Sequence, residues 1–217
     1  MPHKVADPIQ VFVSPGPKPN GLQAADDGLW YIDQGNNHMY KLDWQTGATL
    51  LDVPTETIHS SGITLGGGYA WIASTYSCEI FCVEQETGKT VEKYESPGAG
   101  INATREHLDA TAGRKSESTG DHGLEWKDDH IYIASPPSQF VHVVDVSTWK
   151  EVHRFKAPSF RVHGIAWAEE EGHMWVADTS LGTVTRHRVE DGRTFDAFRV
   201  PDPVQVHGMT IRDNVLW

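Results

Sequence analysis

One short pattern recurs five times along the chain: Asn20-Gly21-Leu22, Ser61-Gly62-Ile63, His122-Gly123-Leu124, His163-Gly164-Ile165 and His207-Gly208-Met209. The glycines are 41, 61, 41 and 44 residues apart. A period of that size marks a repeat architecture, in which a unit too small to bury its own apolar face stacks on its neighbours. The 61-residue interval reads as one 41-residue unit carrying an insertion over residues 96–120.

Other landmarks keep the same register. Nine residues after the glycine stands an aromatic residue: Trp30, Trp71, Tyr132 and Trp217. The fourth unit places Trp175 at eleven, after two extra residues in Glu169-Glu170-Glu171-Gly172. A turn follows at Thr46-Gly47, Thr87-Gly88, Thr148-Trp149 and Asp191-Gly192. Within the third unit, residues 123–126, 131–134, 141–145 and 151–155 are rich in β-branched and aromatic side chains and are separated by polar turns. Four strands in one repeat of this length make a β-propeller blade. The predicted fold is therefore all-β: one propeller domain over 1–217, built of four-stranded antiparallel blades, with a candidate lid at 96–120.

Five repeat starts predict five blades, the last incomplete because Trp217 falls in its second strand. A six-bladed parent is also compatible. Residues 9–13 precede Gly21 as 152–155 precede Gly164. They are expected to be an outer strand that closes the last blade and removes an open sheet edge.

Composition narrows the partners. The net charge is −12 and no Lys/Arg cluster stands out, which argues against nucleic acid. No apolar run long enough for a signal peptide or a membrane span is present, so no membrane contact is expected and a cytoplasmic location is the default. On one extended strand, Cys78 and Cys82 would be about 13 Å apart, too far for a disulfide.

The residue before each repeat glycine opens an innermost strand, and radial symmetry gathers these positions around the channel mouth. They are Asn20, Ser61, His122, His163 and His207. Three imidazoles at one place suit a divalent metal ion, with zinc, iron, nickel or magnesium as candidates and an open coordination position left over. His122, His163 and His207 are thus candidate metal ligands, and His163 is also a candidate catalytic residue. Asn20, Ser61 and Arg161 are candidate substrate contacts. Asp178 or Asp33, at the ends of second strands, could orient a ligand or act as base, and Tyr76 could act as acid. His59, two residues before Ser61, could reach the ring. The other reading of His-Gly is structural, with the ring bonded to a neighbouring carbonyl.

The stretch His163-Gly164-Ile165-Ala166-Trp167 through His173-Met174-Trp175-Val176-Ala177-Asp178 resembles the core of NHL-type propellers and of the streptogramin (virginiamycin B) lyases. Val143-Val144-Asp145-Val146-Ser147-Thr148 resembles a turn of YncE-like propellers. The resemblance implies a lyase that uses a divalent metal and a channel histidine. NHL-like peptidyl-hydroxyglycine lyases hold zinc with histidines from different blades, a placement that His122, His163 and His207 match. Gluconolactonase-type propellers use a carboxylate-rich calcium site, and no Asp or Glu occupies the ring here. Five repeat starts depart from the six or seven blades usual in these families. The expected function is a metal-dependent lyase or hydrolase acting on a small molecule at the channel mouth. The alternative is a non-catalytic propeller that binds a ligand or protein.

Overall fold

Alternating apolar and polar residues, cut at short intervals by turn residues, favour up-and-down sheets over helices. The computed structural model describes residues 4–101, 118–157, 159 and 161–217. Every regular element among them is a strand. After β1 (Lys4–Val5), blade one comprises β2 (Pro19–Ala25), β3 (Gly28–Asp33), β4 (His38–Leu42) and β5 (Thr49–Pro54). Blade two comprises β6 (Ser60–Gly66), β7 (Tyr69–Ser74), β8 (Glu79–Val83) and β9 (Thr90–Glu95). A two-stranded ladder of β10 (Gly100–Ile101) and β11 (Ser118–Thr119) ties together the ends of the insertion. The rest of the expected lid at 96–120 lies outside the described residues.

Blade three comprises β12 (Leu124–Lys127), β13 (His130–Ser135), β14 (Phe140–Asp145) and β15 (Lys150–Lys156). Blade four comprises β16 (Val162–Trp167), β17 (His173–Asp178), β18 (Thr183–Arg188) and β19 (Thr194–Arg199). The hairpin of β20 (Ile211–Arg212) and β21 (Val215–Leu216) follows. The architecture is an all-β propeller with four complete four-stranded blades among the described residues.

The turn between the third and fourth strands has one geometry in all four blades. Gly47, Gly88, Trp149 and Gly192 have φ of 70°, 69°, 51° and 72°. Their N–H groups donate to the carbonyls of Asp43, Glu84, Asp145 and Arg188. Glycine suits the left-handed conformation. Trp149 adopts it while its indole stacks on Tyr94 at 4.1 Å and donates to the Glu95 carbonyl oxygen at 3.0 Å.

The repeat glycines touch one another around a closed ring. A Cβ on Gly21 would lie 2.6 Å from Gly62 Cα, and one on Gly62 would lie 1.9 Å from the His122 oxygen. At Gly123, Gly164 and Gly208 the nearest atoms would be the oxygens of His163, His207 and Asn20, at 2.2, 2.8 and 2.1 Å. The last contact returns to the first repeat. Between the five glycines and the residues that follow them, a void of about 10 Å³ remains, room for no more than one water. The axis is therefore plugged at this level.

Each aromatic of the second strands packs toward the next unit. Trp30 packs with Ile63, Trp71 with Leu124 and Ile131, and Tyr132 with Ile165 and Met174. Trp175 joins Met209, Ile211 and Leu216, and Trp217 joins Leu29, Tyr31 and Trp44. The core is thus five apolar wedges between units rather than one central mass.

The N-terminal segment differs from its expected place. Residues 9–13 form no strand, and Ile9, Val11 and Val13 are exposed. Among the described residues no strand stands beside β21 to carry a ladder to them. Phe12 instead stacks on Trp217, 6.2 Å between centroids. The pairing N-terminal strand is β1, which runs parallel to β19 and covers the edge of blade four. Neither cysteine is in a disulfide. Among the described residues no helix is long and apolar enough to cross a membrane.

Candidate functional site

The contacts among the five repeat glycines bring the residues before them together on one face. Asn20, Ser61, His122 and His163 are buried there, and His207 is half-buried. The rings of His122 and His163 are 4.1 Å apart and those of His163 and His207 4.6 Å, both edge-on.

Hydrogen bonds fix the order of protons along this row. His163 Nδ1 lies 2.9 Å from the backbone oxygen of His207, an acceptor only, so Nδ1 carries the proton and donates. His163 Nε2 is then a lone pair when the ring is neutral. It lies 2.7 Å from His122 Nδ1, which must donate to it. The neutral form of His122 therefore has its own lone pair on Nε2. His163 is held neutral: burial pushes its pKa well below the ordinary imidazole value, and His122, His207 and Arg161 add to that. The bond to the His207 carbonyl opposes the shift.

The neighbouring ring positions are polar and unequal. The Ser61 hydroxyl bonds Thr75 Oγ1 at 2.6 Å, and Thr75 Oγ1 donates to the Asp121 carbonyl oxygen at 3.0 Å. Asn20 Oδ1 is buried with no hydrogen-bond partner among the described residues. Arg161 is close enough to act electrostatically on His163. His59 lies flat on Tyr76, with ring centroids 3.8 Å apart, and its Nε2 accepts from the Gln34 amide.

The two candidate aspartates are occupied elsewhere. Asp178 accepts from Leu181 N at 2.9 Å and from the Ser159 hydroxyl. Asp33 accepts from the N–H groups of Lys18, Gly35 and Asn36 at 2.7, 2.8 and 3.0 Å. Both carboxylates brace the loop after a second strand, the ordinary work of an aspartate in a turn.

Two other acids are buried, and the repeat does not announce either. Burial raises Glu125, two residues past a repeat glycine, to about 8, although the N–H groups of Trp167 and Trp126 favour its charged form. Burial raises Asp121, beside His122, to about 6. Its oxygens make no hydrogen bond of good geometry, although Ser135, Ser96 and the Gly98 backbone lie close enough to lower the shift. The only sequence signal for either is an acid inside an otherwise apolar or glycine-rich inner strand.

Both nitrogens of His163 are engaged, and one nitrogen of His122 faces it. Among the described residues, no group of three or more His, Cys, Asp or Glu is placed to hold a metal ion. A three-imidazole centre would need two hydrogen bonds to break.

A cleft of about 370 Å³ is lined by residues that include Thr179, Arg199, Asp202 and Gln205, and by none of the five residues that precede the repeat glycines. Its volume is in the range of small-molecule sites. Gln205 Oε1 lies 3.4 Å from His207 Nε2, so the cleft reaches His207 through Gln205.

No protein-family model matches the chain, and no curated protein sequence matches it. Solved structures do. The chain is similar to a glutaminyl cyclase of Myxococcus xanthus, with a TM-score of 0.67 and 8% identity, covering 90% of this chain and 81% of that one. It is also similar to hydrazine synthase of Kuenenia stuttgartiensis, with a TM-score of 0.56 and 12% identity, covering 93% of this chain and 53% of that one. A third similarity is to U3-55K, with a TM-score of 0.50 and 14% identity, covering 80% of this chain and 49% of that one. The chain thus spans about half the length of the second and third structures. At such identities the likenesses support a β-propeller fold and nothing finer about activity.

Proposed function

We propose that the protein binds a small polar molecule on the imidazole face of the propeller and that His122 Nε2 takes a proton from it. Proton abstraction of this kind serves both β-elimination and general-base hydrolysis, the lyase and hydrolase chemistries expected from the sequence. The observation that carries the reading is the hydrogen-bonded series from the His207 carbonyl through His163 to His122. It sets the tautomer of both rings and stabilises an imidazolium at His122 through the His163 lone pair. The cleft that reaches His207 through Gln205 gives a small molecule room next to the row. The ring of five glycine contacts also supports a five-bladed propeller.

Two measurements test this. Nitrogen-15 spectra of the imidazoles should show a protonated Nδ1 and a bare Nε2 on His122 at neutral pH; the opposite tautomer rejects the mechanism. Small esters, lactones and activated β-elimination substrates should then be turned over by the wild type and about 100-fold or more slower by His122→Ala. A folded His122→Ala chain with unchanged turnover sinks the assignment. A protein that binds but turns over none of them belongs to the non-catalytic reading.

A second reading keeps the divalent ion, because three neighbouring imidazoles, one of them held neutral, offer the donor type such an ion takes. His122, His163 and His207 would hold it, and it would supply Lewis acidity toward a substrate carbonyl. Cobalt(II) titration separates the two readings. A d–d spectrum lost in His163→Ala supports the ion, and no spectral change rejects it.

A further inference from the structure

Blade three carries a second constellation that the channel-mouth reading does not use. Ser138, in the loop between β13 and β14, has its Oγ 2.8 Å from Nε2 of His142 on β14. His142 Nδ1 bonds Oε2 of Glu151 on β15. The imidazole is 2% exposed, and the carboxylate at its far side is 35% exposed. Glu151 also faces Arg154, 3.8 Å from its other oxygen.

The proton order again follows from the partners. A carboxylate only accepts, so His142 Nδ1 carries a proton and Nε2 is the lone pair. The Ser138 hydroxyl therefore donates to Nε2. Phe140 N–H donates to the same oxygen at 3.3 Å and helps fix its position. A nucleophile bonded to a base, with the base oriented by a carboxylate, is the arrangement that activates a serine. Ser138 itself is half-buried.

The repeat supplies an internal comparison. By the register of the repeat, Ser138 corresponds to Asn36, Ser77 and Leu181, and His142 to Tyr40, Phe81 and Thr185. Blade one uses its pair only as a brace, with Asn36 Nδ2 donating to the Tyr40 hydroxyl at 2.8 Å. No blade but the third combines a hydroxyl, an imidazole and an acid at these places, so the fold does not demand the set.

We propose that Ser138 is a nucleophile toward carboxylic esters, with His142 as its base and Glu151 as the residue that positions His142. Ser138 Oγ bonds to the ester carbonyl carbon as its proton passes to His142 Nε2. The carbon–oxygen bond to the alcohol then breaks, and the alcohol leaves with that proton. Water, deprotonated by His142, attacks the acyl-serine, releasing the acid and restoring the hydroxyl. Ester and water become acid and alcohol, with no oxidant or further reactant.

The test is covalent labelling of the 217-residue chain with an alkyl fluorophosphonate, mapped by mass spectrometry. One adduct on Ser138 is expected, absent in Ser138→Ala. Its rate should fall about 1000-fold in His142→Gln and about 10-fold or more in Glu151→Gln. Circular dichroism and melting establish that each variant is folded. Should His142→Gln fail to fold, the Glu151→Gln rate decides. No adduct on Ser138 in the folded wild type overturns the proposal, as does an equal rate in folded Glu151→Gln. The adduct is read on Ser138 itself, so the result stands apart from the fate of the His122 reading.

Discussion

Gly62 and His122 meet backbone to backbone: a Cβ at position 62 would lie 1.9 Å from the His122 carbonyl oxygen. Neither partner is a flexible side-chain end, so an added methyl must push two inner strands apart. Gly62→Ala is expected to cost about 3 kcal/mol. Gly100→Ala is the control: among the described residues its Cβ would meet only Pro137 Cβ at an ordinary 3.5 Å, and it should change stability little. Urea unfolding of both variants checks this, and equal midpoints would contradict the ring packing.

Glu125 should make the protein less stable as pH rises. Its carboxyl ionises near the ordinary value of 4.5 when unfolded and at about 8 when folded. Between those values the folded state holds the extra proton, so stability falls with increasing pH. Glu125→Gln should therefore be nearly neutral at pH 4.5 and more stable than wild type by about 2–4 kcal/mol at pH 8. Denaturation of both proteins across that range measures the difference.

His163 acts in the opposite sense. It stays neutral in the fold while its unfolded counterpart protonates near 6.5. Below that value the unfolded state binds the extra proton, and stability falls as pH falls, by up to about 1.4 kcal/mol per unit. The Glu125 and His163 slopes oppose each other between about 4.5 and 6.5, so the wild-type curve alone conceals both. Asp121, raised to about 6, opposes the His163 slope in the same way, so in the Glu125→Gln, Asp121→Asn background lowering pH from 7 to 5.5 should expose that slope, and adding His163→Gln should remove it.

The two thiols should differ sharply in reactivity. Cys82 is buried on β8, and burial raises its pKa to about 11. Cys78 is half-buried in the preceding turn. A disulfide reagent at pH 8 should modify Cys78 alone in the native protein and both thiols in denaturant, since the thiolate is the reactive form. Rapid native modification of Cys82 would contradict its placement.

The sequence by itself determined the repeat and what hangs on it. Glycines 21, 62, 123, 164 and 208 in register imply equivalent strands, and equivalent strands around an axis must meet at equivalent positions. That reasoning reaches the propeller, the strands of blade three and the gathering of Asn20, Ser61, His122, His163 and His207 at one face. The cyclic glycine contacts are its physical cause. Symmetry assigns a position to each residue, but not the direction in which its atoms bond.

Tertiary structure alone decided the rest. Whether three imidazoles face a common point or bond in a row depends on ring rotations of an ångström or two, set by a backbone carbonyl 44 residues away from His163. Asp178 and Asp33 looked like candidate bases by position, yet local N–H groups claim their oxygens. Residues 9–13 had the composition of a strand, but a strand forms only where a neighbour offers its hydrogen bonds, and β1 took the available edge instead. The Ser138, His142 and Glu151 set follows no period at all. It exists because one loop and two adjacent strands of a single blade fold back on each other, a relation that spacing along the chain does not encode.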